Sequence, residues 1–188
     1  MIKINSGAAQ GNLSDLEKVL RAVLVDLTAL KSFADSLKAS LVGKGMLGKA
    51  GLGIGSTKPN VANAACSYMI AGVDYPLAAN ATGTALSGDN VPQNKYGAWA
   101  LDIDAAGSIT IVPAAANATG YASAALAGAG IPAVAATKVR LGYATAINTG
   151  AVFDPGTTAL DAEGVTDTYV DASSLYNSIT SCAALTLS

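Results

Sequence analysis

The chain has 188 residues, enough for one domain with its own core and an appendage. Half of the residues are apolar, but the excess is alanine, which buries little area, and only 13% are charged, against about a quarter in soluble domains. This composition favours a component of a particle or a stable oligomer over a freely diffusing enzyme. The chain has no histidine, which excludes a Ser-His-Asp triad, a Cys-His dyad and a histidine zinc site.

Charge is divided unevenly along the chain. Residues 1–60 hold eight Lys/Arg and four Asp/Glu, whereas residues 61–188 hold three and nine. A basic arm therefore precedes an acidic body. The lysines of the arm are interleaved with acids and have no aromatic neighbours for base stacking, so we expect no nucleic-acid partner. No apolar run reaches 18 residues, so we expect no membrane-spanning segment either.

Residues 1–12 are predicted to form an N-terminal arm, followed by a coiled-coil helix over residues 13–42. Apolar residues recur there at alternating steps of three and four, which is an unbroken heptad repeat typical of a left-handed coiled coil. The predicted oligomerisation residues are Leu13, Leu16, Leu20, Val23, Leu27, Leu30, Ala34, Leu37 and Leu41.

The flanks of the heptad indicate how many helices associate. Val19 and Phe33 at g and Leu24 at e widen the apolar face beyond a two-stranded seam. Asp26 and Lys31 have the spacing of an interchain ion pair in a parallel bundle. These features predict a parallel homotrimer. A dimer is the alternative, and a third possibility is an amphipathic helix that packs on its own body.

Residues 43–60 are rich in glycine and lysine and are predicted to be a hinge. Within them, Gly43, Gly48 and Lys49 fit a phosphate-binding loop, but Ala50 replaces the metal-binding hydroxyl. A phosphate loop leads into a helix, whose N-terminus faces the anion. Here no helical pattern follows, and the segment comes after the predicted end of the heptad helix. We therefore expect glycines that end this helix rather than a nucleotide site.

Residues 61–188 are predicted to be an antiparallel β-sandwich or jelly-roll-like body, which makes the chain an α+β protein that is mainly β. One hairpin turns at Ala71-Gly72 and another at the loop from Asp104 to Gly107. A later strand is predicted to place Val139, Leu141 and Tyr143 on one face. A short helix is expected around residues 121–128, and Trp99 is expected in the core.

Few residues of the body could carry chemistry. Asp102, Asp104 and Gly107 imitate the start of a calcium loop, but position twelve is Pro113 and the flanks are strands, so a hairpin turn is favoured. The acidic pair Asp161 and Glu163 is interpreted as a solvated loop. Cys66 and Cys182 are predicted to be buried or free thiols, with a disulfide left open. No catalytic residue, metal or cofactor is predicted.

Three segments of the body resemble a family of small bacteriophage virion proteins. They are "IGSTKPNVANAACSYMIAGVDYPLAA", "NKYGAWALDIDAAGSITIV" and "VRLGYATAINTGAVFDPGTTALD", and the similarity covers residues 53–171, about two thirds of the chain. The last segment is the most specific of the three. The family is similar to head decoration and head-fibre proteins, which are trimers that project from the capsid.

The resemblance implies a non-enzymatic homotrimer on the capsid surface of a virion, with the major capsid protein as partner. Docking is then expected to use the N-terminal region, with Ile2, Lys3, Ile4, Lys18 and Arg21 as candidate contacts. The alternative is a receptor-binding adhesin of the tail that recognises a host glycan or surface protein. A glycan site usually shows exposed aromatic rings, and this chain has one Trp and two Phe.

Overall fold

The computed structural model describes residues 15–31 and 43–172. The chain divides into two compact units, Met1–Leu41 and Val42–Ser188. In the first unit, residues 15–31 form helix α1. The second unit is mainly β, with antiparallel sheets throughout its described part. The strong helix and strand patterns of the sequence thus give a helix followed by a β body, as predicted.

The described part of the body contains ten strands and one short helix. The elements are β1 (Gly45–Met46), β2 (Gly53–Ile54), β3 (Asn60–Asn63), β4 (Cys66–Ile70), β5 (Val73–Leu77), β6 (Asn80–Ala85), β7 (Tyr96–Asp104), β8 (Ile109–Pro113), α2 (Ala124–Ala129), β9 (Lys138–Asn148) and β10 (Val165–Asp171). They form a four-stranded sheet in the order β10-β9-β7-β8 and two three-stranded sheets, β1-β4-β5 and β2-β3-β6.

The core lies on one face of the four-stranded sheet. Trp99, Leu101 and Ile103 alternate along β7 and are fully buried, as their spacing predicted. They pack with buried residues from the other two sheets, among them Tyr68 and Val61. Large apolar side chains from three sheets therefore share one core, and this burial is the main stabilising contribution for such a body.

A second, smaller apolar cluster lies on the opposite face of the same sheet. Ala127 of α2 packs against Ala98 of β7 and Ala114 in a second cluster. Ser123 caps α2, since its hydroxyl accepts a hydrogen bond from the Leu126 N–H at 3.3 Å. The helix predicted around residues 121–128 is confirmed at Ala124–Ala129. Because β7 is covered on both faces, it is buried along nearly its whole length.

Both predicted hairpins are confirmed. The loop of β7 and β8 turns at Gly107, whose φ is +79°, a value that glycine adopts without strain. The β4–β5 hairpin turns at Ala71-Gly72, and Ile70 pairs directly with Val73. Both turn residues have positive φ, 52° and 79°, as a two-residue type I′ turn requires. Ala71 is therefore strained, because alanine rarely adopts this conformation.

This strain gives a stability prediction. Ala71→Gly is expected to raise the free energy of unfolding by about 0.5–1 kcal/mol, because glycine adopts the positive φ without steric cost. Ala105→Gly, in the turn of the other hairpin, is the matched control. Ala105 has no positive φ, so the same change there should lower stability by about 0.5–1 kcal/mol. Urea unfolding measures both variants, and equal effects would contradict the assignment of strain to Ala71.

The prediction for β9 is partly wrong. Val139 and Leu141 lie in the core as expected, but Tyr143 does not join them. Leu101 pairs with Gly142 while Asp102 pairs with Arg140, so the register shifts at Leu141. This bulge reverses the alternation of faces. The core residues after it are Ala144 and Ala146, and Tyr143 lies beside Gly128 of α2 on the other face.

The prediction of a hinge at residues 43–60 is wrong for much of that segment. β1 pairs with β4, and β2 pairs with β3, so both belong to the sheets of the body. Met46 and Ala50 are fully buried in the shared core. The glycines allow the chain to run close against other backbone, as at Gly55, where a Cβ would collide with the Thr82 carbonyl oxygen. The body therefore begins earlier than Val61.

Candidate functional site

Helix α1 carries a continuous row of exposed apolar side chains. Among the described heptad positions, the exposed fraction ranges from 56% at Leu16 and Val23 to 63% at Leu30. Val19 at g and Leu24 at e are exposed to a similar extent. We call these seven residues the heptad face, which consists of Leu16, Val19, Leu20, Val23, Leu24, Leu27 and Leu30. Single exposed apolar residues are ordinary, whereas contiguous apolar rows of this length are typical of surfaces through which proteins associate.

One further large apolar residue of α1 lies away from this face. Val25 occupies heptad position f, opposite the a and d positions, and is 67% exposed. It therefore provides an internal comparison for the heptad face. Leu13, Ala34, Leu37 and Leu41, the other predicted heptad positions, lie outside the described residues, as do Ile2, Lys3 and Ile4 of the predicted docking arm.

Charged residues line the rest of α1. Lys18 lies 3.4 Å from Asp15, and Arg21 lies 2.9 Å from Glu17, each within one helical turn. All four side chains are at least two-thirds exposed, so each pair contributes only a few tenths of a kcal/mol, about 0.3–0.5. Lys18 and Arg21, the predicted docking cations, are thus available at the helix surface. The predicted interchain pair of Asp26 and Lys31 stays a prediction.

The calcium-like sequence forms a hairpin turn, as interpreted. The Asp104 carboxylate accepts hydrogen bonds from the backbone N–H groups of Ala106 and Ser108, at 2.9 and 3.0 Å. The Asp102 carboxylate is not part of this turn. It is 3% exposed and accepts two hydrogen bonds from Arg140, at 2.8 and 3.1 Å. The two carboxylates therefore have separate structural partners, and the loop holds itself closed through its own backbone.

The phosphate-loop pattern is likewise structural. No helix follows it, because residues 45–46 and 53–54 are strands. Ala50, which stands at the hydroxyl position, is fully buried. Lys44 donates a hydrogen bond to the Ala135 carbonyl oxygen at 2.6 Å, and Lys49 is exposed. The segment has none of the strand–loop–helix geometry that places N–H groups around a phosphate.

Asp161, Glu163 and Cys66, the remaining candidates that the structure describes, belong to no metal-binding cluster within the described residues. Asp161 and Glu163 are exposed, and Asp161 pairs with Lys58 at 2.9 Å. Cys66 is a free, half-buried thiol. Burial, and next the Asp171 carboxylate, raise the pKa of Cys66, which keeps it in the less reactive thiol form. Cys182 lies outside the described residues.

Strand β10 carries two buried polar groups that the sequence gave no reason to expect. The Asp167 Oδ2 and the Tyr169 hydroxyl are buried neighbours, and within residues 15–31 and 43–172 neither makes a hydrogen bond of good geometry. Burial first, and then the neighbouring Asp167 carboxylate and the charge of Asp161, raise the pKa of Tyr169 well above its ordinary value. The hydroxyl therefore stays protonated in the folded body.

This pKa shift predicts an alkaline limit to stability. Unfolded Tyr169 loses its proton near pH 10, while the folded residue retains it, so stability falls as the pH rises above about 10. Above about pH 10, the free energy of unfolding should fall by about 1.4 kcal/mol for each pH unit because of this residue. Tyr169→Phe should remove that part of the slope, as measured by urea unfolding between about pH 9 and 11. Tyr75→Phe controls for the loss of one phenol, and an unchanged slope in Tyr169→Phe would contradict the prediction.

Comparison with known proteins gives no match. No protein-family model, no curated protein and no solved structure matches the chain. Within residues 15–31 and 43–172, no helix is long and apolar enough to cross a bilayer. In the same described ranges, no group of three His, Cys, Asp or Glu side chains is arranged to hold a metal ion. The heptad face is the feature of the described chain that bears most directly on function.

Proposed function

We propose that the chain is a non-enzymatic structural protein of a bacteriophage particle, a homotrimeric decoration protein attached to the capsid surface through its N-terminal region. The observation that carries the proposal is the heptad face of α1. It is exposed over the whole described helix, and its strict seven-residue repeat specifies association with other helices of the same kind.

Copies of the same helix are the partner that fits this face best. Helices of this length are marginal in water by themselves, and each leucine or valine gains about 1.5–3 kcal/mol on full burial. In a parallel bundle the heptad residues of each copy meet their equivalents at the same level. The charged residues of α1 lie outside the a and d positions, so the seam requires no buried charge.

Three copies fit the face better than two. A two-stranded coiled coil buries mainly the a and d positions, whereas Val19 and Leu24 extend the apolar face to g and e. Leucine at a, as at Leu20 and Leu27, also does not favour a dimer. A parallel trimeric coiled coil is therefore the proposed state. A dimer is the alternative that a mass measurement distinguishes.

The body supports a structural role. We interpret it as a β-sandwich, because one face of the four-stranded sheet packs against residues of the other two sheets. The segments that resemble phage virion proteins include the β4–β5 hairpin, the β7–β8 hairpin and strand β9. Three N-terminal arms on one trimer would bind symmetric sites of the shell together, so that avidity compensates for weak single contacts.

The burial of two aromatic residues favours this role over glycan recognition at the tail. Trp99 and Phe153 are both fully buried and pack on each other, with ring centroids 5.3 Å apart. Neither ring is available to stack on a sugar. The capsid is therefore the proposed attachment site, with the major capsid protein as partner and no cofactor.

Two measurements on the full chain and the particle test the proposal. Light scattering at micromolar concentration should give a mass three times that of the 18.5 kDa chain. A cryo-EM map of intact particles should show threefold projections on the shell, and an antibody against the chain should label heads. A monomer in solution would overturn the trimer, and labelling confined to tails would overturn the capsid assignment in favour of an adhesin.

A further inference from the structure

The outer edge of β10 is a row of backbone groups with which no other described strand pairs. β10 is the last strand of the four-stranded sheet, and among the described strands it pairs with β9 alone. The Ala172 N–H, directly after β10, donates a hydrogen bond to the Leu141 carbonyl at 2.9 Å. Backbone groups alternate in direction along an antiparallel strand. Even-numbered residues therefore bond to β9, and the N–H and C=O groups of Asp167, Tyr169 and Asp171 face away from it.

The other sheet edges of the described body carry features that hinder the addition of a strand. β1 and β2 have two residues each, β5 contains Pro76, and β8 ends at Pro113. β6 contains Gly83 at a φ of +84°, and its register with β3 is irregular. In contrast, β10 keeps seven residues in unbroken register with β9 and contains no proline, glycine or lysine. A long regular edge of this kind is a template for pairing with another strand.

The exposed face of β10 is also suited to strand pairing. Its exposed residues are Thr166, Thr168 and Val170, all of them β-branched and uncharged. Such residues favour extended structure, and they pack well against their equivalents on a neighbouring strand. Neither the backbone nor the exposed side chains of β10 therefore oppose the addition of a strand.

The sequence of β10 is compatible with antiparallel pairing to a second copy of itself. The register that overlaps all seven residues places Thr168 opposite the Thr168 of the second copy. The other pairs are then Thr166 with Val170, Val165 with Asp171, and Asp167 with Tyr169. In this register the outward backbone groups of the odd-numbered residues face each other, and no two carboxylates are opposed. Centring the pair on Asp167 or on Tyr169 would instead oppose Asp167 to itself or to Asp171, which is unfavourable.

From these observations we propose that the outer edge of β10 is a two-fold contact between two copies of this chain. The two four-stranded sheets would join across it into one continuous sheet, with the same strand contributed by each copy. A two-fold contact cannot include three equivalent bodies, so in the proposed trimer it would connect one trimer with another. The contact itself does not depend on the proposed trimer or on a role in a virion.

A cysteine at the centre of the contact tests the proposal on the full chain. In the proposed register the two Thr168 residues form a non-hydrogen-bonded pair with Cα atoms about 4.5 Å apart, a distance that a disulfide can span. Thr166→Cys is the matched control, because it lies on the same exposed face but its two copies would be about 14 Å apart along the strands.

Both variants and the wild-type chain are oxidised with copper phenanthroline in air and separated on a non-reducing gel. Thr168→Cys should give at least about fivefold more disulfide-linked dimer than Thr166→Cys. The wild-type chain measures the contribution of Cys66 and Cys182. Equal yields from the two variants would overturn the proposal, and this is also the result expected if another part of the chain covers the edge of β10.

Charge complementation tests the pairing of Thr168 with itself in a second way. Thr168→Lys and Thr168→Glu each oppose two like charges, whereas a mixture of the two variants opposes unlike charges. The mixture should associate at least about fivefold more tightly than either variant alone, and the same pair of changes at Thr166 should stay within about twofold.

Sedimentation equilibrium at up to about 0.5 mM protein suits this contact, because one strand pair buries less than the roughly 1,200 Å² of a standard interface. All four variants also carry Val23→Asp, which separates strand pairing from the proposed association of α1. A mixture of the Thr168 variants that associates no more tightly than its components would overturn the proposal.

Discussion

Val23→Asp is expected to dissociate the proposed trimer, whereas Val25→Asp should leave it intact. The two substitutions are chemically identical and lie two residues apart on α1. Val23 is at heptad position d, and Val25 is at position f on the opposite side of the helix. In a parallel trimer, Val23→Asp would bring three carboxylates together in a water-excluded seam, at a cost of several kcal/mol. Val25→Asp would add charge to a surface that stays in water.

The readout is the native mass by light scattering and sedimentation equilibrium. We expect the dissociation constant of Val23→Asp to rise by at least about 100-fold, since 1.4 kcal/mol corresponds to a factor of ten. For Val25→Asp we expect a change of no more than about twofold. Circular dichroism reports whether the body keeps its strand signal in both variants. Dissociation by Val25→Asp with retention of the oligomer in Val23→Asp would place the seam on the other face of α1.

Arg140→Met is expected to be the most destabilising single change among those considered for the body. It preserves much of the side-chain volume but leaves the Asp102 carboxylate, which is 3% exposed, without its cation. Removing one partner of a buried ion pair costs about 3–5 kcal/mol. It also removes the hydrogen bond to the Pro132 carbonyl that fixes the segment before β9. The midpoint of thermal unfolding should fall by on the order of 10 °C.

Two further variants isolate the contribution of the buried charge. Lys58→Met breaks the exposed pair with Asp161, whose side chains are 53% and 43% exposed, and should cost no more than about 1 kcal/mol. The double variant Arg140→Met/Asp102→Asn has no unpaired buried charge. Its free energy of unfolding should exceed that of Arg140→Met by at least about 1 kcal/mol. If Arg140→Met were no more destabilising than Lys58→Met, the buried pair would not have the stabilising role assigned to it.

Local chemistry made the helix and the two hairpins predictable from the sequence. The heptad repeat relates residues that lie one or two helical turns apart, such as Leu20 and Leu27, so it can be recognised in the local sequence. Residues 15–31 are helical, as this repeat predicted. Likewise, the hairpins turn at Gly72 and Gly107, where glycine meets the need for positive φ. In each case the residues that determine the element lie within a few positions of one another.

Features that depend on distant partners were missed. Strands β1 and β2 have two residues each and no periodicity to detect, and they exist because β4 and β3 pair with them. The bulge at Leu141 is caused by its register with β7 and reverses the face of Tyr143. Asp102 and Arg140 are 38 residues apart, so nothing in either local sequence indicates the pair.

The position of the two chain ends of the described body has a practical consequence for protein engineering. Gly45 and Ala172 line one small cleft beside β9, and the Ala172 N–H is hydrogen-bonded to the Leu141 carbonyl at 2.9 Å. Gly45 and Ala172, near the two ends of the described range 43–172, therefore lie close together. Domains with adjacent termini tolerate circular permutation and insertion into the loop of a host protein. Residues 44–172 could thus be displayed from a surface loop of an unrelated scaffold through two short linkers.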